Sequence, residues 1–376
     1  MKNFMRKLAA PFALLFAVVA FSGCYNEENL WAARKGTLTL PIGGYIYYLN
    51  SAAGDARTKI PTGQEVLKSK IDGKSAETWI RDAGLESIKS FFYINEKFEE
   101  MGLSLEEDDI TSMESYVDNM WASFGSSMEK AGVSKESFQL IYADFSLKQS
   151  AIFDALYGPN GEKAVSDKEL TDYYEDTYYA YEYFTVSVPT IEDTTEESSA
   201  ASAEKKVDEA AKSKIKEKLQ QYSEKIKKGD LTVTEAADAY AKENNLESNG
   251  YNTYAGKKTD AYSEISKAVL ALDENDAQVI ESGTTALVLA RKTPIAEKSQ
   301  EMLKDKDSRI NILSDMKWEE FTTWVKEQSA NIEGIVFNDS AINAQKISSF
   351  FNADNKNGTS SAPDDSSQAP QSSQAG

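Results

Sequence analysis

The sequence predicts a mainly α-helical protein with one small α+β insert. Three observations lead there. Apolar residues recur at steps of three and four through most of the chain, and Gly residues and Ser/Thr-x-x-Glu pairs punctuate them as helix ends and starts. The period changes to two between Tyr181 and Val188, and again near Val279 and Ala286. Helical spacing then returns at Ile295, so the chain leaves a helical region and comes back to one.

The chain opens with Lys2, Arg6 and Lys7, an apolar run from Leu8 to Phe21, then Ser22, Gly23 and Cys24. This is the pattern of a secretory signal peptide. The small pair Ser22-Gly23 directly before the sole cysteine resembles the bacterial lipobox, in which that cysteine is lipid-modified and becomes the first mature residue. Phe21 departs from the Leu usual at its position. Residues 1–23 are thus expected to be a lipoprotein signal, Cys24 the lipidation site and residues 24–34 a polar tether. The apolar run is shorter than the ~20 residues a spanning helix needs, whereas a diacyl anchor holds a protein stably at a membrane surface. The expected location is the extracytoplasmic face of the cell membrane. With Cys24 acylated no thiol remains for a disulfide. Trp31 reads either as a residue at the membrane surface or as an exposed part of the tether.

Residues 35–180 are expected to form a helical domain. Thr37 to Pro41 reads as a short strand and Gly43 to Lys59 as a helix. Leu85, Ile88, Phe91, Phe92, Ile94 and Phe98 mark a long helix stopped at Met101-Gly102. Ser104 with Glu107 reads as a capping box opening a helix that carries Ile110, Met113, Val117, Met120 and Trp121. Gly132 ends that segment. Ser134 opens another helix, with Phe138, Ile141, Tyr142, Phe145 and Ile152 on its stripe, broken at Tyr157-Gly158-Pro159. Ser166 and Glu169 make a second capping box.

Residues 181–295 are expected to be the α+β domain. Tyr181, Tyr183, Thr185 and Ser187 alternate with Glu182, Phe184, Val186 and Val188 in a first strand. Thr194 to Ala203 reads as a solvated loop. Glu204 to Lys228 reads as a charged helix with one apolar stripe through Ile215, Leu219, Tyr222 and Ile226. Thr232 and Glu235 cap a further helix, Asn249 to Lys258 reads as a polar loop, and Ser263 to Leu272 as a short helix. Val279-Ile280 and Ala286 to Ala290 read as the closing strands. Residues 296–351 return to helix, with Asn331 to Asn338 a short strand and Asp339 to Phe351 a last helix. From Asn352 nothing apolar larger than Ala or Pro remains, which predicts a disordered tail.

Composition excludes much. There is no His and one Cys, so neither a Ser-His-Asp or Cys-His nucleophile nor a His- or Cys-rich metal site can be built. A net charge of -20 without a dense basic patch disfavours nucleic acid as a partner. The acidic clusters at Glu106 to Asp109, Glu192 to Glu197 and Asp273 to Asp276 lack EF-hand spacing and read as solvated faces. No metal and no cofactor is expected.

The order of signal, helical domain, α+β insert and closing helical segment resembles the extracytoplasmic foldases of the PrsA and SurA type. The motifs that carry it are Val165-Ser166-Asp167-Lys168-Glu169-Leu170 with Tyr173-Tyr174, then Ile226-Lys227-Lys228-Gly229-Asp230-Leu231 with Ala236 to Ala241, and Asn331 to Asp339. The resemblance implies a SurA-N-like helical chaperone module, made of N- and C-terminal segments packed together, and a parvulin-like prolyl-isomerase domain inserted between them. Both family histidines are missing. Tyr183-Phe184-Thr185-Val186 stands where a Ser-His-Ile-Leu-type segment would be, the second His is replaced within Ala286 to Ala290, and the Gly-Gly-Asp-Leu-Gly-type loop survives only as Asn249 to Gly256.

A degenerate, binding-only domain follows from these departures, with no catalytic residues. The expected partners are unfolded exported polypeptides and, through the anchor, the membrane. Tyr183, Phe184, Tyr251 and Tyr254 in the insert, with Met113, Met120 and Trp121 in the helical domain, are the candidate client-binding residues. The dense run Tyr173, Tyr174, Tyr178, Tyr179, Tyr181, Tyr183 suits core packing and stacking on a client alike. Two rival readings are an active prolyl isomerase, since an apolar cradle can distort an amide without proton transfer, and a solute-binding lipoprotein of a transporter. The latter should show two lobes of alternating strand and helix, and strands here are few.

Overall fold

The computed structural model describes residues 30–192, 205–248 and 250–351. The signal segment with Cys24, the Thr194–Ala203 stretch and the tail from Asn352 lie outside them. The protein is mainly α-helical with small antiparallel sheets. It divides into two compact units: Ala164–Lys317, and a discontinuous unit made of the chain up to Lys163 together with Trp318 onward.

In the discontinuous unit, β1 (Trp31–Lys35) and β2 (Leu38–Pro41) form a hairpin, and β11 (Val336–Phe337) adds to the other edge of β1 through Ala33↔Phe337 and Arg34↔Val336. Residues 31–34 are therefore strand where a tether was expected. Ala32 and Ala33 are fully buried, and the Arg34 guanidinium stacks on the Trp31 ring at 4.4 Å. A strand without β-branched residues or alternation leaves no local signal, because its stability comes from the partner strands.

The chain then runs through α1 (Ile42–Lys59), the two-residue strands β3 (Lys70–Ile71) and β4 (Lys74–Ser75), and α2 (Ala76–Glu100), which Ser75 caps by accepting from the Thr78 N–H. Ile80, Ile88, Phe91 and Phe92 of α2 are fully buried, each contributing roughly 1.5–3 kcal/mol of transfer free energy. α3 (Glu107–Lys130) corrects the expected Ser104 capping box: its N-cap is Glu106, without a side-chain bond. Glu107, Asp108 and Asp109 in the first turn face the positive end of the helix dipole instead.

Ser134 does cap α4 (Lys135–Phe138), which passes through a π-helical turn, Gln139–Asp144, into α5 (Phe145–Tyr157). At the C-terminal end, α12 (Asp339–Ala344) stops at an extended Gln345, and a 3₁₀ turn follows over Ile347–Phe351 rather than one continuous helix. The two stretches of this unit share a core: the Phe153 ring lies 5.3 Å from Trp318 and 5.4 Å from Phe321.

The other unit begins with α6 (Asp167–Thr177), opened by a complete Ser166/Glu169 capping box. β5 (Tyr178–Ser187) follows, then β6 (Thr190–Glu192), β7 (Lys205–Val207), α7 (Glu209–Lys227), α8 (Val233–Glu243), β8 (Asn252–Lys257), α9 (Glu264–Leu270), β9 (Ala277–Ser282), β10 (Ala286–Thr293) and α10 (Ile295–Lys304). α11 (Lys306–Ala330) starts here and ends in the discontinuous unit. The sheet is antiparallel in the order β8-β5-β10-β9.

Three features correct the sequence expectation. β5 starts at Tyr178, Lys205–Val207 pairs with Thr190–Glu192 instead of opening a helix at Glu204, and the expected loop from Asn249 contains the strand β8. The unit also reaches beyond residues 181–295 at both ends. Asp315 of α11 accepts hydrogen bonds from Tyr173 at 3.0 Å and Tyr178 at 2.6 Å and pairs with Lys257 at 2.6 Å, which fastens α6, β5, β8 and α11 together.

Candidate functional site

The alternation of β5 sorts its side chains onto two faces. Phe184, Val186 and Val188 join Leu219, Tyr222 and Ile226 of α7 and Val233, Ala236 and Tyr240 of α8 or its cap. On the opposite face Tyr179 and Tyr181 pack with Val288 and Ala290 of β10, Ile280 of β9 and Val269 of α9, with Tyr183 beside them.

Tyr254 completes that second face. It sits directly across from Tyr181 in the β5–β8 register. The Tyr181 ring centroid lies 5.4 Å from Tyr183 and 5.0 Å from Tyr254, and Tyr179 lies 6.0 Å from Tyr181 and 5.9 Å from Tyr254. Such aromatic pairs contribute about 0.5–1.5 kcal/mol each beyond area burial. A Cβ on Gly256 would fall 2.5 Å from the Tyr254 hydroxyl, so a side chain there would make the Tyr254 ring swing away from its present place. Within this ladder Tyr181 is 5% exposed and Tyr254 39%; outside it, Tyr251 just before β8 and Tyr262 just before α9 are 41% and 76% exposed.

Chemically this face offers rings and neutral hydroxyls. Burial, the largest cause, pushes the Tyr179 and Tyr181 phenols up from their ordinary value, with the Ser266 hydroxyl acting in the opposite sense. Neither carries charge at neutral pH, so neither can act as a general base. The two segments in which the family histidines are replaced lie side by side, in register from Ala286↔Ser187 to Ala290↔Tyr183. Tyr183, Val288 and Ala290 occupy the shared face there. Among the described residues no group of His, Cys, Asp and Glu could hold a metal ion.

The sequence-derived candidates separate accordingly. Tyr183 and Tyr254 each pack against Tyr181 on the tyrosine face, and Tyr251 is exposed just before β8. Phe184 belongs to the opposite face and is 5% exposed, because consecutive strand residues point opposite ways. Met113, Met120 and Trp121 lie on α3, in the other unit. Met113 is 4% exposed and fills the core there, which corrects its assignment as a contact residue. Trp121 is half-buried, with its ring 6.1 Å from Phe138. Tyr179 and Tyr181 were visible in the period-two tyrosine run, whereas Tyr262, in a turn before α9, has no sequence signal.

No family model matches the sequence, and no curated protein matches it. The solved structures to which it is similar include three foldases of the PrsA type. The foldase protein PrsA from Lactococcus lactis is 14% identical at a TM-score of 0.36, over 85% of this chain and 98% of that one. PrsA from Streptococcus pneumoniae is 16% identical at 0.32, over 73% and 96%, and PrsA from Bacillus subtilis 12% identical at 0.32, over 77% and 100%.

Proposed function

We propose that the chain is a lipid-anchored extracytoplasmic chaperone that holds unfolded exported polypeptides, and that it does so without strong prolyl-isomerase activity. The observation that carries this reading is the tyrosine face, on which Tyr254 stays 39% exposed beside a ladder of buried rings, with Tyr251 and Tyr262 exposed in the segments just before β8 and α9. Rings and phenolic hydroxyls accept apolar, aromatic and polar segments alike, which suits clients of unrelated sequence. Export and anchoring rest on Lys2 to Cys24.

The negative field keeps a loaded complex soluble and disfavours acidic clients. Catalysis is given little by this site. The barrier to X-Pro rotation is about 20 kcal/mol, and neither a histidine nor another group that titrates near neutrality stands on the tyrosine face.

A hydrophobic-probe dye should bind the protein and be displaced by a chemically unfolded client. The combined substitution Tyr251→Ser, Tyr254→Ser and Tyr262→Ser should lower dye binding several-fold while leaving the melting profile within a few degrees. Equal dye binding and displacement in the variant would remove the tyrosine face from the account.

A further inference from the structure

The β5 strand has an open edge. β10 pairs with β5 as far as Ser187, whereas β8 pairs with it only from Tyr178 to Tyr183. The Val188 N–H donates to the Thr285 carbonyl at 2.8 Å, so residues 188, 186 and 184 turn their backbone groups toward β10. Thr185 and Ser187 therefore turn theirs the other way, and among the described residues no strand pairs with them there. Both are exposed.

Two features of the described chain end this edge on either side. Gly250, at φ +64°, turns the backbone before Asn252, so β8 cannot run on along β5. Beyond Ser187 the edge ends at Pro189, which has no N–H and whose carbonyl accepts from Asp208. Between these stops lies a groove of about 840 Å³, with Thr185, Val186 and Ser187 along one side and Ile215, Ala241 and Leu246 among the residues of its floor and far wall. Leu246 is 59% exposed.

We infer that this edge takes an extended segment of the client chain as an added strand, in line with β8. The inference rests on the chaperone reading above and names the form in which a client is held. Four outward backbone groups, the N–H and C=O of Thr185 and of Ser187, stand at the spacing that an extended backbone matches, and backbone pairing is indifferent to client sequence. Alternate side chains of such a strand fall into the groove against Ile215, Ala241 and Leu246, which calls for apolar residues at every second position. The net charge of -20 favours neutral or basic segments. Residues 193–204 and 352–376 of this chain contain nothing apolar larger than Ala or Pro, so neither suits that floor.

The test uses the full mature chain carrying Cys24→Ser, and a labelled decapeptide of alternating Val and Thr flanked by Lys, read by fluorescence anisotropy. Ser187→Pro removes the outward N–H without touching the β10 ladder, a substitution that edge strands tolerate. It should raise the Kd at least tenfold, while Ser187→Ala, which keeps the N–H, changes it less than twofold. The same peptide N-methylated through its centre should bind the unaltered protein at least tenfold more weakly, which covers the case of a poorly folded proline variant. Equal affinity for the N-methylated peptide, or an unchanged Kd in a folded Ser187→Pro protein, overturns strand addition. Either result would leave dye displacement at the tyrosine face intact, so failure here is separable from failure of the chaperone reading.

Discussion

Asp315 concentrates more polar structure than any residue the sequence singled out. Its carboxylate receives the Tyr173 and Tyr178 hydroxyls and the Lys257 ammonium, with a side chain 11% exposed. Removing one partner from such a cluster leaves the others desolvated and unsatisfied. Asp315→Ala should cost about 2–3 kcal/mol, read as a lower denaturation midpoint at unchanged slope. A second charge cluster sets a pH dependence. Hydrogen bonds from Lys212 and then Lys216 hold the Glu281 carboxyl down at about 2, against the ordinary 4.5. The folded value is depressed, so its contribution to stability is complete above about pH 4.5 and is lost as pH falls toward 2. Lys212→Met with Lys216→Met should return the Glu281 titration, followed by side-chain NMR, to near 4.5. The capping boxes at Ser166 and Thr232 were legible because their partners stand three residues apart. The Asp315 cluster was not, since its tyrosines lie 142 and 137 positions away.

Helix periodicity placed α1 and α8 to within a residue or two and the C-terminal ends of α2, α5 and α7 closely, because each buries a continuous stripe. Close helix contact adds a further constraint. A Cβ on Gly84 of α2 would lie 2.9 Å from Leu49 Cδ2 and 3.1 Å from the Tyr45 ring, and both of those side chains are fully buried in α1. Gly84→Val should therefore destabilise the protein by about 1–3 kcal/mol through overpacking, seen in thermal melts as a fall of several degrees. Where sequence reading stopped short, the element was a strand held by its neighbours. Apart from Trp31 and Tyr254, Trp31–Lys35 and Asn252–Lys257 are polar or small in composition, and they exist through ladders to β2, β11 and β5. The faces were half legible: alternation of Tyr183 with Phe184 states that they diverge, but which face stays accessible depends on where α9 and the α7–α8 pair come to rest.

At the scale of the whole molecule, the proposed chaperone reading joins the acidic composition and the lipoprotein-like N-terminus expected from the sequence to the surface offered by the sheet in the Ala164–Lys317 unit. A holding chaperone needs accessible apolar area and freedom from self-association. Exposed tyrosines on a strongly negative chain meet both needs. The most direct measurement is suppression of aggregation of a chemically unfolded client by the Cys24→Ser chain at stoichiometric amounts, against an equally acidic inert protein. The account predicts suppression well beyond the control, reduced several-fold by the Tyr251, Tyr254 and Tyr262 substitutions. Suppression no greater than the inert protein gives would contradict it.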